Sequence, residues 1–184
     1  ASLLPPQAEL ESIAVAPGFL DIHSHGDSAL SRDPRAESVV RQGITTIIAG
    51  QDGDSAATGG ADSGFDAMFA AIDALKPGVN VASMVGLGSV RGAVVGDDDR
   101  PATADELARM TAMVEQALAR GACGASSGLE YTPGAFAPRD ELVALCRPLA
   151  ARRLAYATHM RNEDDRVLEA IDEAIAVARG AGCR

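Results

Sequence analysis

The sequence predicts an α/β fold built from parallel βαβ units. Strand-like and helix-like runs alternate five times along the 184 residues. The strand-like runs are short and are joined through helical runs, so successive strands must run parallel. Hydrophobic residues make up 47% of the chain and aromatics only 3%. Alanine, valine and leucine must therefore fill the interior, which suits helices laid on a buried parallel sheet.

Residues 14–25 read as the first strand and end in His23 and His25. A helical run at 33–42 follows, with Gly43 where a C-terminal glycine is expected. The second strand, 43–50, ends in Gly50-Gln51-Asp52-Gly53. Residues 50–64 are rich in Gly, Ser, Ala and Asp and read as a loop after a strand C-terminus, where α/β proteins place their sites. Helix 62–75 and strand 80–86 come next. Helix 103–120 opens on Thr103 with Glu106 at capping-box spacing and is followed by Gly121. Strand 122–129 leads into Glu130 and Tyr131. Pro138 and Asp140 open a helix at 138–152. Strand 154–160 carries His159, and helix 164–179 is followed by Gly180. No Pro/Ser-rich linker divides these units, so 14–184 reads as one domain.

The 16 basic and 26 acidic residues give a formal charge of −10, a poor match to nucleic acid or an anionic membrane. There is no 18-residue apolar run, and the first seven residues lack the regions of a signal peptide. Cys123, Cys146 and Cys183 form no CxxC pair and read as free thiols of a reducing compartment, with Cys123 and Cys146 in the core. The expected location is cytoplasmic.

His23, His25 and His159 are the three histidines of the chain, and each falls at the C-terminal end of an expected strand. His23 and His25, two apart on a strand, leave the same face and can share a metal ion. Asp52 and Glu130 are the carboxylates best placed to join them. Each residue also has a structural alternative: a hydrogen-bonded core histidine at His159, a turn aspartate before Gly53, a surface carboxylate at Glu130. Tyr131 is either core or, facing the substrate, the candidate catalytic residue of this chain. Arg91 and Arg161 either pair with a substrate carboxylate or form surface salt bridges. No phosphate-binding glycine loop is present. Gly124-Ala125-Ser126-Ser127-Gly128 matches a nucleophile elbow only loosely, since any histidine partner is better explained as a metal ligand.

The run Val15-Ala16-Pro17-Gly18-Phe19-Leu20-Asp21-Ile22-His23-Ser24-His25 resembles the first-strand motif of the amidohydrolase superfamily. Three later segments, 80–91, 124–134 with Ser-Ser-Gly-Leu-Glu-Tyr-Thr-Pro-Gly, and 156–163 with Tyr-Ala-Thr-His-Met-Arg-Asn-Glu, resemble its N-acyl-D-amino-acid deacylase (D-aminoacylase) branch. The resemblance implies a (β/α)8 TIM barrel with one or two zinc ions at its mouth, of which this chain holds about the first five βα units. His23 and His25 are then expected at the more buried ion and His159 at the second. Asp52 stands where better-known members have a metal-binding cysteine, and Leu87 where many have histidine. The implied reaction is hydrolysis of the amide of an N-acyl-D-amino acid by a metal-activated hydroxide. The family's aspartate base and a further metal histidine belong to later strands, beyond Arg184. Residues 1–13 are expected to be a remnant of the family's N-terminal β segment. The chain thus reads as a fragment, to be completed by a missing C-terminal half or another chain, and as a poor or inactive hydrolase alone. The alternatives are another amidohydrolase, dihydroorotase-like or dipeptidase-like, and a non-catalytic metal-binding fragment.

Overall fold

Strands β1 (Phe19–Asp21), β2 (Ile44–Ala49) and β3 (Asn80–Ser83) lie side by side, as do β4 (Val85–Gly86), β5 (Gly124–Gly128) and β6 (Ala155–His159). Every pairing in these two sheets is parallel. The computed structural model describes residues 14–55 and 64–184. The expected β segment at 1–13, much of the loop at 50–64 and the first two residues of the helix at 62–75 lie outside the described residues.

The expected third strand is divided at Met84 and serves both sheets. Ser83 pairs with Ala49, whereas Val85 pairs with Ala125. Between them the Met84 N–H donates to the Ala49 carbonyl at 2.9 Å, and the Ser83 carbonyl accepts from the Cys123 N–H at 2.9 Å. The strand segments therefore succeed one another in space in chain order, an α/β arrangement of parallel sheets with no closed barrel among the described residues.

The helices are α1 (Asp27–Leu30), α2 (Glu37–Val40), α3 (Phe65–Leu75), α4 (Leu87–Val94), α5 (Ala104–Ala119), α6 (Arg139–Arg152) and α7 (Val167–Ala181). The expected helix at 33–42 is replaced by α1 and α2, because Pro34 and the left-handed Ala36 (φ 48°) interrupt it. Helix α4 was not legible: Gly88 and Gly92 lower its intrinsic propensity, and burial of Leu87 and Val90 compensates. Helix α7 runs through Gly180 to Ala181, and its left-handed cap is Gly182 (φ 74°). Gly180 serves packing instead, since a Cβ there would lie 3.1 Å from the Val143 side chain.

Two apolar clusters of unequal size hold the layers together. The larger joins α4 to α7 with β4 and β5 through residues such as Val90, Met110, Val114, Leu142, Leu145 and Leu149. Met110, Val114, Ala117 and Leu118 occupy one stripe of α5 at helical spacing. The smaller cluster, Leu30, Ala36, Ile47 and Val79, supports β2. Apolar side chains remain exposed at both ends of the strand series: Phe19, Leu20 and Ile22 on and after β1, and Leu168, Ile171 and Ile175 on α7. Among the described residues no helix is long and apolar enough to cross a membrane.

The start of α5 forms the anticipated capping box: Thr103 Oγ1 accepts from the Glu106 N–H at 3.3 Å, and the Glu106 carboxylate accepts from the Thr103 N–H at 2.8 Å. Hydrogen bonds from Arg100, then from the Thr103 backbone, hold the Glu106 carboxyl well below the usual carboxylate range. Thr103→Ala is expected to lower stability by about 1 kcal/mol, read as a lower urea midpoint at unchanged m-value.

Candidate metal centre

His23 and His25 lie just past β1 rather than on it, a shorter strand than the expected 14–25. Their segment still tracks β2, because the Ser24 N–H donates to the Ile48 carbonyl at 3.0 Å. The buried Gln51 carboxamide reinforces this by donating to the Ile22 and Ile48 carbonyls at 3.0 and 3.2 Å. The two imidazoles consequently sit together, with ring centroids 5.4 Å apart.

Asp52 completes the group. Its Oδ2 lies 3.2 Å from His23 Nε2 and 2.9 Å from His25 Nε2. The ligand atoms of all three residues fall within 4.8 Å of one another. Both rings are more than half exposed, while the carboxylate is only 18% exposed. The donors thus form a shallow cup, open to solvent on the imidazole side. Two nitrogens and one carboxylate oxygen are a donor set that suits zinc and leaves a fourth tetrahedral position open.

The backbone around Asp52 is constrained. Asp52 takes a left-handed conformation (φ 53°), uncommon for a non-glycine residue and followed by a left-handed Gly53 (φ 78°). This turn presses against β5: a Cβ on Gly53 would come within 2.6 Å of the Gly128 nitrogen, and one on Gly128 within 2.1 Å of the Asp52 carbonyl oxygen. Buried Ser126 clamps the turn, donating its hydroxyl to the Gly50 carbonyl at 2.6 Å and accepting from the Gly53 N–H at 3.0 Å. Ser89 adds a second tie, its N–H donating to the Gly53 carbonyl and its hydroxyl to Asp54. These supporting roles of Gln51, Ser89 and Ser126 were missed from the sequence. The one available signal was β5 itself, a fully buried Gly-Ala-Ser-Ser-Gly strand too small to be there for apolar packing.

His159 ends β6 as expected, but it pairs with Glu130, Nε2 to Oε2 at 3.1 Å, and not with the His23–His25–Asp52 group. Tyr131 packs its ring against His159 at 4.7 Å between centroids. A cavity of about 510 Å³ opens beside the first set, with His25, Asp52, Ser89, Tyr131 and Pro133 among its walls. A larger cleft of about 690 Å³ lies between the starts of α6 and α7, around Arg161. Of the two, the smaller cavity is the one lined by members of the clustered donors, His25 and Asp52.

Neither arginine is free for a substrate carboxylate. Arg91 is buried, paired with buried Glu141 at 2.7 Å, and donates to the Asp98 and Arg100 carbonyls. Glu141 also accepts from the Ala102 N–H, so the pair fastens residues 98–102 to α6. Arg161 is engaged with both oxygens of Glu173 and with the Ala135 and Ala137 carbonyls. Ser127 likewise meets Tyr156 and Thr158, and Ser126 meets backbone, so the loose nucleophile-elbow match has no histidine partner.

No family model matches the chain. Curated proteins do. A D-aminoacylase of Alcaligenes xylosoxydans xylosoxydans is 36% identical over 190 residues, which cover 94% of this chain and 39% of that protein. An N-acyl-D-glutamate deacylase of the same organism is 40% identical over 185 residues, 92% of this chain and 38% of that protein. The crystal structure of the N-acyl-D-glutamate deacylase of Bordetella bronchiseptica superimposes with a TM-score of 0.85 at 40% identity, over 91% of this chain and 39% of that one. The chain belongs to the D-aminoacylase family of amidohydrolases. It spans about two fifths of the length of the family members it matches. The Bordetella bronchiseptica N-acyl-D-glutamate deacylase was crystallised with zinc and a phosphonate inhibitor that mimics the tetrahedral intermediate of its reaction.

Breaking the buried ion pair should be costly. Arg91→Met strands the Glu141 charge and is expected to destabilise the chain by about 3–5 kcal/mol, measured by denaturant unfolding. Adding Glu141→Leu should recover part of that loss.

Proposed function

We propose that this chain is the ligand-bearing part of a zinc-dependent hydrolase that cleaves the amide bond of N-acyl-D-amino acids. The observation that carries the reading is the single Asp52 oxygen within 3.2 Å of two imidazole nitrogens, on a turn held in a left-handed conformation. In this reading His23, His25 and Asp52 hold one ion, and His159 with Glu130 offers a place for a second.

When bound, zinc supplies Lewis-acid polarisation of the acyl carbonyl and acidifies a water to a nucleophile. The protein's own residues set the geometry. The recessed Asp52 carboxylate orients both imidazoles, and the glycine contacts behind it hold that carboxylate still. Tyr131 lines the same cavity as His25 and Asp52, which supports a contact with the acyl group. We assign it that role and leave the arginines in their structural ion pairs. Asp52 brings an oxygen donor to a position where the family resemblance suggests sulfur, which weakens selectivity for zinc over harder ions.

The architecture is read as the first five units of a (β/α)8 barrel. Parallel strands in chain order support this, as do histidines just past the first described strand and at the end of the last. Further βα units, from the same polypeptide or a completing chain, are proposed to cover the apolar surfaces of β1 and α7. A second reading, a metal-binding fragment without turnover, is favoured by those same open surfaces and by the exposure of His23 and His25.

Zinc titration by equilibrium dialysis tests the site. Asp52→Asn is expected to weaken zinc binding at least about tenfold, and unchanged affinity would sink the assignment. Turnover of N-acetyl-D- against N-acetyl-L-amino acids tests the reaction. The 184-residue chain is expected to bind zinc yet hydrolyse little, and a version extended by the remaining barrel units should act on the D-series.

A further inference from the structure

The end of α7 lies close against the face of α6 that carries Cys146. A Cβ on Gly180 would approach Val143 to 3.1 Å, and one on Gly182 would lie 3.7 Å from the Ala150 Cβ. Val143, Cys146 and Ala150 succeed one another along one face of α6 at helical spacing. The two glycines therefore let the chain deliver Cys183 onto that face. Gly182 is left-handed (φ 74°), and the Cys183 N–H donates to the Ala178 carbonyl at 3.1 Å. Beyond it, the Arg184 carbonyl accepts from the Tyr156 N–H at 2.8 Å, which ties the segment to β6. Cys146 is fully buried, and half-buried Cys183 packs on the same apolar cluster. Both are free thiols on the same apolar cluster. Neither belongs to the metal centre.

We propose that Cys146 and Cys183 form a peroxide-sensitive thiol pair that closes to a disulfide and staples the end of α7 to α6. The Cys146 hydrogen bond brings the Cys183 thiol down to about 7, and partial burial opposes it. Cys146 is pushed up, by its hydrogen bond to Cys183 and by burial. Cys183, the more exposed of the two, is the nucleophile that peroxide reaches, and fully buried Cys146 is the resolving thiol. The Cys183 thiolate attacks one oxygen of hydrogen peroxide, the O–O bond breaks, and hydroxide leaves. Cys183 sulfur is oxidised to a sulfenic acid, and the peroxide is reduced. Cys146 sulfur then attacks the Cys183 sulfur, the S–O bond breaks, and the departing hydroxide takes the Cys146 proton as water. Two thiols and one peroxide give one disulfide and two waters.

The test treats the 184-residue chain with hydrogen peroxide in the absence of reductant and follows intact mass and non-reduced peptides. The expected result is a loss of about 2 Da, a Cys146–Cys183 cross-linked peptide, reversal by dithiothreitol, and the same behaviour in Cys123→Ser. The rate should rise as pH passes through about 7, where the Cys183 thiolate fraction grows. Cys183→Ser, at a half-buried position that folding tolerates better than Cys146, should abolish the mass loss. Retention of the mass loss in Cys183→Ser, a cross-link through Cys123, or oxygen addition at Cys183 with no loss of hydrogen would each overturn the proposal.

Discussion

The candidate centre depends on how closely one turn can approach one strand. The turn after β2 must carry Asp52 to a point between two imidazoles, and it can do so only by lying almost flush on the backbone of β5. At Gly128 there is no room for a methyl group beneath the Asp52 carbonyl, and at Gly53 none beneath the Gly128 nitrogen. The backbone polar groups exposed by that approach are not left unpaired, because Ser126 both donates to the turn and accepts from it. The cost of a left-handed aspartate is of order 1–3 kcal/mol and is offset by these contacts. The result is a carboxylate whose position is set by covalent geometry and sterics more than by its own side-chain rotamer.

That arrangement divides the polar groups into two sets of different character. Around Asp52 the imidazoles are exposed and the carboxylate is recessed. Around His159 the order is reversed, with the imidazole recessed and Glu130 more exposed. Tyr131 packs against His159 and also lines the cavity that His25 and Asp52 border. The nitrogens are thus the outward-facing groups at one set and the carboxylate oxygens at the other.

Much of this was legible where the cause is local. The capping box of α5, the apolar stripe of that helix and the strand-and-helix alternation follow from short-range rules, and each is present. His23, His25 and Asp52 were legible as a group because a motif marked them, although the strand expected to present the histidines is shorter than its hydrophobic pattern suggested. What failed to show is what depends on distant partners. Arg91 looked available because Glu141, fifty positions away, gives no local sign of pairing with it. Ser126 and Gln51 looked unremarkable because their work is done on the backbone of other segments. The division of the third strand at Met84 likewise reflects two neighbours on opposite sides, which a one-dimensional pattern does not encode.

The inequality of the two apolar clusters has a further consequence. The larger cluster is built from residues between Phe65 and Ala181, whereas the smaller one, under β2, has four buried members. Local opening costs least where fewest apolar contacts must be broken. His23 and His25 follow β1, in the part secured by the smaller cluster, whereas the Asp52 turn is clamped to β5 by Ser126 and, with His159 and Glu130, lies against the part secured by the larger. Release of the two imidazoles is thus separable from unfolding of the chain: the molecule can surrender the nitrogen side of its cup and still keep the carboxylate and most of its core.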